Sequence, residues 1–388
     1  MNVGIMTTSS EPQSGGLYTF ESELLHAITR LQPESTHRFF LMGHDLRRDH
    51  AGSISIIDFN RRSGPALWSR LLGKTKPEMI TKILEYRIDI IWYLSPFTGM
   101  PTQEVPYVFP VWDLAHLTVP FFPEVSAAGQ WHEREAMYSN RIGRAACVFV
   151  GTEVGKKEIS TFYRIPNERI RVIPMPTPTF EGTARADLAH MTLSSDYLLY
   201  PANFWPHKNH INLLLALRIL NEKFSLALKL ILIGSDKGNR GYVQEKIREL
   251  GLQQQVSFEG FVARERLVML YRNALALVYV SLLGPDNLPP LEAFALGCPV
   301  IATDMPGSRE QLGDAALLVD TLNPQQIAAA IHRIYTDQGI RSQLITRGLE
   351  RKSFMFTDYA REVFNFLDKF EPLRRCWTDR SFYNEKQR

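Results

Sequence analysis

The sequence predicts an α/β protein of two doubly wound, Rossmann-like domains, and three observations carry that expectation. Its 388 residues exceed the length over which a single hydrophobic core usually keeps growing. Short β-rich runs alternate with helix-like segments in both halves, the pattern of parallel sheets covered by helices. Between the halves, Pro174, Pro176 and Pro178 stiffen the chain, and a polar stretch without a sustained period follows.

In the first half the expected strands are 3–6, 38–42, 54–59, 89–94, 107–112, 146–150 and 170–173. The linker is expected from Met175 to Ser195. The alternation restarts with runs at 197–201, 228–233, 256–258, 274–280, 299–302 and 316–319. Helical spacing is clear at 211–220, 324–336 and 357–370. The expected domains are therefore 1–178 and 190–356, with the segment 357–388 expected to pack back on the first. No period of 20 to 50 residues recurs, which argues against repeat architectures.

Composition narrows the function classes. Hydrophobic residues make up 45% and charged residues 22%, the proportions of a globular protein. A net charge of +3 is too small for a nucleic-acid-binding face and is compatible with an anionic small ligand. Cys147, Cys298 and Cys376 are far apart and odd in number, the pattern of neither a disulfide framework nor a zinc site. The start, Met1 to Met6, reads as a buried strand rather than a signal peptide, and no apolar run approaches a membrane span. A cytoplasmic location is the expectation. The segment Arg61 to Lys76, with Trp68, Leu71 and Leu72 among basic residues, reads either as a solvated basic helix or as one that leans on an anionic membrane.

Candidate chemistry begins after the first strand, where small polar residues end in Gly15-Gly16 just before a helix. A strand, a glycine turn and a helix start can present backbone N–H groups to phosphate, and the same residues also suit a plain connecting loop. The full Gly-x-Gly-x-x-Gly fingerprint is missing, so a nicotinamide nucleotide is not indicated. Asp113 and His116 follow a later strand, at the carboxyl edge where ligands of parallel sheets bind. Asp113 equally suits a cap of the next turn.

The second half is more informative. Tyr200 to Asn209 closes a strand and leads into an amphipathic helix, which places Lys208 beside a helix start where a cation and the helix dipole can bind one anion together. Gly234-Ser235 and Gly260-Phe261 are strand-to-helix turns able to hold a base through backbone groups. From Ser281 to Thr303 a strand, a rigid turn, a short helix ending at Gly297 and another strand follow with little slack. Glu292 falls within the apolar first turns of that helix, where a carboxylate needs a hydrogen-bonding partner. The adjacent hydroxyls of a ribose would supply one.

With Phe204 to Asn209, Asn287 to Ala293 and Gly297 to Val300 in view, the chain resembles the retaining glycosyltransferases of family 4. Gly15-Gly16 and Asp113 to His116 support the match. The resemblance implies the GT-B fold, two facing Rossmann-like domains with an interdomain cleft. It implies that Lys208 contacts the donor diphosphate, Glu292 the ribose, the Gly234, Ser235 and Phe261 loops the base, and Asn287-Leu288 the phosphate or sugar. Gly15, Gly16, Asp113 and His116 would close over the transferred sugar. Two positions depart from the family pattern: Gly284 stands where the first glutamate of Glu-x7-Glu is usual, and Asn203 where an arginine is usual. Asp286 or Asn287 is the expected substitute for the first, and His207 the expected helper of Lys208 for the second.

The expected activity is transfer of a sugar from a UDP- or GDP-sugar to a saccharide or lipid-linked saccharide with retention of configuration. No Asp-x-Asp motif occupies a suitable loop, so no metal is expected to be required and no cofactor is implied. The rival readings are a nucleotide-sugar epimerase, a phosphorylase-type enzyme and an inactive nucleotide-sugar-binding protein.

Overall fold

The structure is a computed structural model that describes residues 1–11, 14–44, 46, 52–59, 77–99, 105–180, 197–351 and 354–377. Most of the linker, and the basic segment Arg61 to Lys76, lie outside the described residues.

The first domain contains β1 (Asn2–Met6), α1 (Gly16–Leu31), β2 (Arg38–Gly43), β3 (Ser55–Asp58), α2 (Pro77–Glu85), β4 (Ile90–Tyr93) and β5 (Tyr107–Pro110). Two one-turn helices follow, α3 (Ala115–Thr118) and α4 (Pro123–Ser126), and then α5 (Gln130–Ile142), β6 (Cys147–Val150), α6 (Glu153–Tyr163) and β7 (Ile170–Val172). Its sheet is parallel throughout, in the order β3-β2-β1-β4-β5-β6-β7. Every residue of β4, β5 and β6 is buried. Such runs carry no alternation because helices cover both faces of the sheet.

The second domain contains β8 (Tyr197–Pro201), α7 (His210–Phe224), β9 (Lys229–Ile233), α8 (Arg240–Glu249), β10 (Val256–Gly260), α9 (Arg264–Asn273) and β11 (Ala276–Tyr279). It continues with α10 (Leu288–Ala295), β12 (Val300–Thr303), α11 (Pro306–Leu312), β13 (Ala316–Val319), α12 (Pro324–Thr336) and α13 (Gln338–Arg351). Its parallel sheet has the order β10-β9-β8-β11-β12-β13. The expected runs of both halves thus appear as strands within a residue or two of their anticipated limits, and the fold is the expected pair of Rossmann-like domains.

The chain crosses back at its end. The N–H of Thr177 donates to the carbonyl of Phe354 (2.9 Å), so the returning strand lies beside the outgoing one. α14 (Phe356–Arg374) then packs on the first domain. Phe364 stacks on Phe39 with ring centroids 4.8 Å apart, and Arg374 pairs with Asp89 at 3.1 Å. Burial of one face of α14 in the first core ties the two ends of the chain into one body.

In each sheet the strand order reverses once, between β1 and β4 and between β8 and β11. The crevice outside the carboxyl ends of the strands at such a reversal is where open α/β sheets bind ligands. In the second domain, those ends carry Lys208 and the Ser281 to Asn287 turn.

Candidate nucleotide-sugar site

Lys208 ends a tight turn, Pro206–Lys208, directly after β8. Asn209 follows in the left-handed conformation (φ 57°) and anchors the turn by donating its amide to the carbonyls of Val280 (3.2 Å) and Thr321 (2.9 Å). The ammonium of Lys208 donates to the Tyr279 hydroxyl (2.8 Å) and the Ser281 hydroxyl (3.3 Å), and pairs with no carboxylate among the described residues. Its positive charge is positioned but uncompensated.

The Tyr279 hydroxyl passes the contact on to Asn287 Oδ1 (2.9 Å), the residue that opens α10. Gln311 fixes the Asn287 backbone on both sides, accepting from its N–H (3.0 Å) and donating to its carbonyl (3.1 Å). Lys208 and the start of α10 are therefore one hydrogen-bonded unit, and both favour an anion. Glu292 lies about 6 Å farther along the same helix, four residues past Leu288 at the usual rise. It is partly exposed and accepts from the Tyr271 hydroxyl (2.8 Å). Burial pushes its carboxyl above the ordinary range, against the opposing effects of Tyr271 and Arg264. One donor leaves most of its acceptor capacity unused.

The loops expected around the base meet where the Gly234 N–H donates to the Gly260 carbonyl (2.9 Å), and Asn203 Oδ1 accepts the backbone N–H of Ser235 (2.8 Å). Gly234 has φ 147°, and a Cβ there would lie 2.4 Å from the carbonyl oxygen of Ala202, so only glycine fits. Phe261 is 54% exposed after the left-handed Gly260. Asn203 thus ties two loops together and has no guanidinium to replace the missing arginine's charge.

Five contacts close the domains on each other around this unit. Gly16 faces Leu288, with an added Cβ 3.5 Å from its Cδ1. Glu310 accepts the N–H of Glu153 (2.7 Å), and Arg264 pairs with Glu23 (2.8 Å). Glu124 of α4 receives both the backbone N–H of His207 (2.9 Å) and its ring Nδ1. Asp286 extends into the first domain, where a Cβ on Gly151 would lie 1.5 Å from its Oδ2. Its carboxyl is pushed up to about 7 by burial, then by the charges of Asp113 and Glu310. Asp286 and Asn287 therefore part company: Asn287 stays with Lys208, while Asp286 lines a pocket with Trp112, Gly151 and Tyr359.

The first-domain candidates behave differently. Asp113 caps α3 through the N–H of Ala115 (2.9 Å) and pairs with Arg134 (2.5 Å). His116, expected to close over the transferred sugar, is fully buried. Its Nε2 meets Glu135 Oε2 at 3.0 Å, and its ring stacks on Tyr138. Burial holds its imidazole below the ordinary range despite the carboxylate. The one-turn helix α3 directs position 116 inward, a rotation that a motif of four residues does not specify. Sequence reasoning missed Tyr279, Gln311 and Glu124. Only Tyr279 had a signal, its place at the end of a strand beside the reversal.

Fold and site together define a two-domain GT-B architecture with Lys208 held beside a helix start in the second domain. Residues 192–351 match the family model described as Glycosyl transferases group 1. It is 28% identical over 179 residues to the O-antigen chain mannosyltransferase RfbU of Salmonella typhimurium, covering 46% of this chain and 48% of that protein. The chain thus spans about half the length of that curated relative. Two solved structures share the fold at TM-scores of 0.73 and 0.66. One is a sucrose-phosphate synthase from Thermosynechococcus elongatus (18% identity, 96% of this chain and 100% of that one). The other is Anabaena Alr3699/HepE in complex with UDP and glucose (17% identity, 95% and 100%).

Proposed function

We propose that the protein is a retaining glycosyltransferase that moves a hexosyl group from a nucleoside diphosphate sugar to a saccharide or lipid-linked saccharide in glycoconjugate assembly. The observation that carries the reading is the unit of Lys208, Tyr279 and Asn287: a cation held by neutral hydroxyls against a helix start, with a half-satisfied carboxylate one turn on. The diphosphate suits the cation and the helix start, and the ribose diol suits Glu292. The relative named as a mannosyltransferase favours a mannosyl donor.

Charge grows on the diphosphate as the anomeric carbon–oxygen bond breaks, and Lys208 with the α10 N–H groups stabilises it there. The acceptor oxygen bonds to the anomeric carbon on the face the diphosphate leaves, and its proton passes to the departing phosphate oxygen. The lysine supplies the compensating charge, so turnover should survive a chelator. No helix among the described residues is long and apolar enough to cross a membrane, and a cytoplasmic enzyme working on soluble or membrane-surface acceptors fits this reading.

The test is a thermal-shift screen of UDP, GDP and ADP followed by donor turnover. A ligand at a hundred times its Kd stabilises by about 2.7 kcal/mol. Stabilisation by one diphosphate together with slow hydrolysis or transfer of its sugar supports the proposal. Interconversion of the free donor's sugar would instead identify an epimerase, and binding without turnover an inactive binding protein.

A further inference from the structure

Glu124 makes a contact that the site described above does not require for binding a nucleotide. It sits on the one-turn helix α4 beside the 73%-exposed Phe121, yet its own side chain is only 6% exposed. Its hydrogen-bond partner lies in the opposite domain. Oε1 accepts the His207 backbone N–H (2.9 Å) and the Nδ1–H of its ring, while Phe122 meets the same ring edge-on at 6.2 Å. His207 is also tied inward, its carbonyl accepting the N–H of Leu282 (2.9 Å) from the turn after β11. The next residue in the chain is Lys208.

The charge states are defined. Burial alone would raise the Glu124 carboxyl, but the hydrogen bonds from His207 outweigh it and hold it below the usual range. Burial, and then the charge of Lys208, keeps the imidazole of His207 below its ordinary value despite Glu124. The contact is thus a carboxylate accepting two N–H bonds from a neutral residue. Its other oxygen, Oε2, is buried and makes no hydrogen bond among the described residues. A half-desolvated carboxylate makes the closed arrangement costly when nothing else holds it, so the contact is suited to form and release.

We infer that Glu124 is a positioning residue, an interdomain latch whose seating on His207 fixes the Lys208 turn when the domains close. The inference rests on the proposed transfer reaction. It adds that the first domain, which would receive the acceptor, supplies a last restraint on the Lys208 turn only in the closed arrangement. Nucleotide binding in the second domain does not need the latch, because Tyr279, Ser281 and Asn209 hold the turn from within that domain.

The experiment compares Glu124→Ala and Glu124→Gln with the wild type in the full chain. The alanine variant should lower kcat by about 10- to 100-fold, the worth of a hydrogen bond to a charged group. Its Kd for the preferred nucleoside diphosphate should stay within about 3-fold of wild type, since a rim contact of the other domain contributes little to binding there. Glutamine keeps a carbonyl oxygen for both donors, and Glu124→Gln should recover most of the lost rate. Small-angle scattering with saturating nucleoside diphosphate should show Glu124→Ala more extended than wild type. Unchanged kcat in Glu124→Ala overturns the latch, as does a diphosphate affinity that falls in step with the rate. If no donor is turned over by the wild type, the transfer reading fails by itself. The scattering comparison then still decides the latch, with equal compactness of the two proteins overturning it.

Discussion

The carboxyl edges of the two sheets carry similar residue types and treat them in opposite ways. At the first edge three charged or titratable groups are answered from within the domain: Glu21 accepts from Thr7 and Thr8, Asp113 from Arg134, and His116 meets Glu135. At the second, among the described residues, Lys208 rests on two hydroxyls without a counter-charge, and Glu292 has one phenol. A charged group that a fold has already compensated has little left to offer a ligand. One that is positioned but uncompensated has its interaction energy in reserve. On the proposed function, this difference favours diphosphate and ribose binding in the second domain and leaves the first to shape and close the cleft.

The sharpest way to break this contrast is Lys208→Ala. Removal of the uncompensated cation should cut turnover by about two to three powers of ten, the cost of losing a transition-state charge contact. The protein should stay folded, because Asn209 rather than Lys208 anchors the turn. Near-normal transfer by a folded Lys208→Ala protein would show that the charge at this edge is not the one the reaction uses.

Glu292→Gln should act more weakly and on binding. The Tyr271 hydroxyl still finds an oxygen, while the pair of acceptors facing the ribose diol is lost. The donor Kd should rise about 10- to 100-fold, in line with hydrogen bonds to a charged group. Isothermal titration with the nucleoside diphosphate and with its 2′-deoxy analogue checks this, and the variant should discriminate poorly between the two. A variant that keeps the wild-type preference would remove Glu292 from the ribose.

Both edges were readable in sequence to different depths. The strands were legible because a strand buried on both faces is a short, nearly continuous apolar run, as at Ile90 to Tyr93 and Leu230 to Ile233. Lys208 and Glu292 stand out in the sequence because each is polar at a place where apolar packing or a helix start gives polarity a cost or a use. The direction of His116 was not legible, since a one-turn helix can rotate a side chain in or out with the same four residues. The partners of His207 and Asp286, Glu124 and Gly151, lie 83 and 135 residues away, and only the packing of two domains brings them together. No local pattern encodes such a pairing.

Asp286 tests the interface by pH. Its carboxyl is pushed up to about 7 by burial and then by Asp113 and Glu310, so the closed fold holds a proton that an unfolded aspartate releases near pH 4. Its contribution to stability is therefore fully present below about pH 4 and is lost as pH rises to about 7. Asp286→Asn cannot titrate and should lose less stability across that window. Glu158, also raised to about 7, gives the same slope in both proteins and cancels in the comparison. Melting midpoints at pH 5 and pH 7.5 measure it, and parallel changes in variant and wild type would show that Asp286 is hydrated and the cleft open.

The smallest effect on turnover is expected where sequence alone placed a catalytic group. His116 is fully buried, stacked on Tyr138 and bonded to Glu135, with its carbonyl accepting the Trp131 indole N–H at 2.6 Å. Replacing it with alanine removes a packed ring and leaves Glu135 without that donor, which should cost about 2–4 kcal/mol of stability. The rate at a temperature where the variant is folded should stay within about 3-fold of wild type, because the ring touches nothing that would change charge in the transition state. Denaturant unfolding and steady-state kinetics on one preparation separate the two effects. A large loss of kcat with little loss of stability would place the imidazole in the reaction, and the first edge would then no longer be the compensated one.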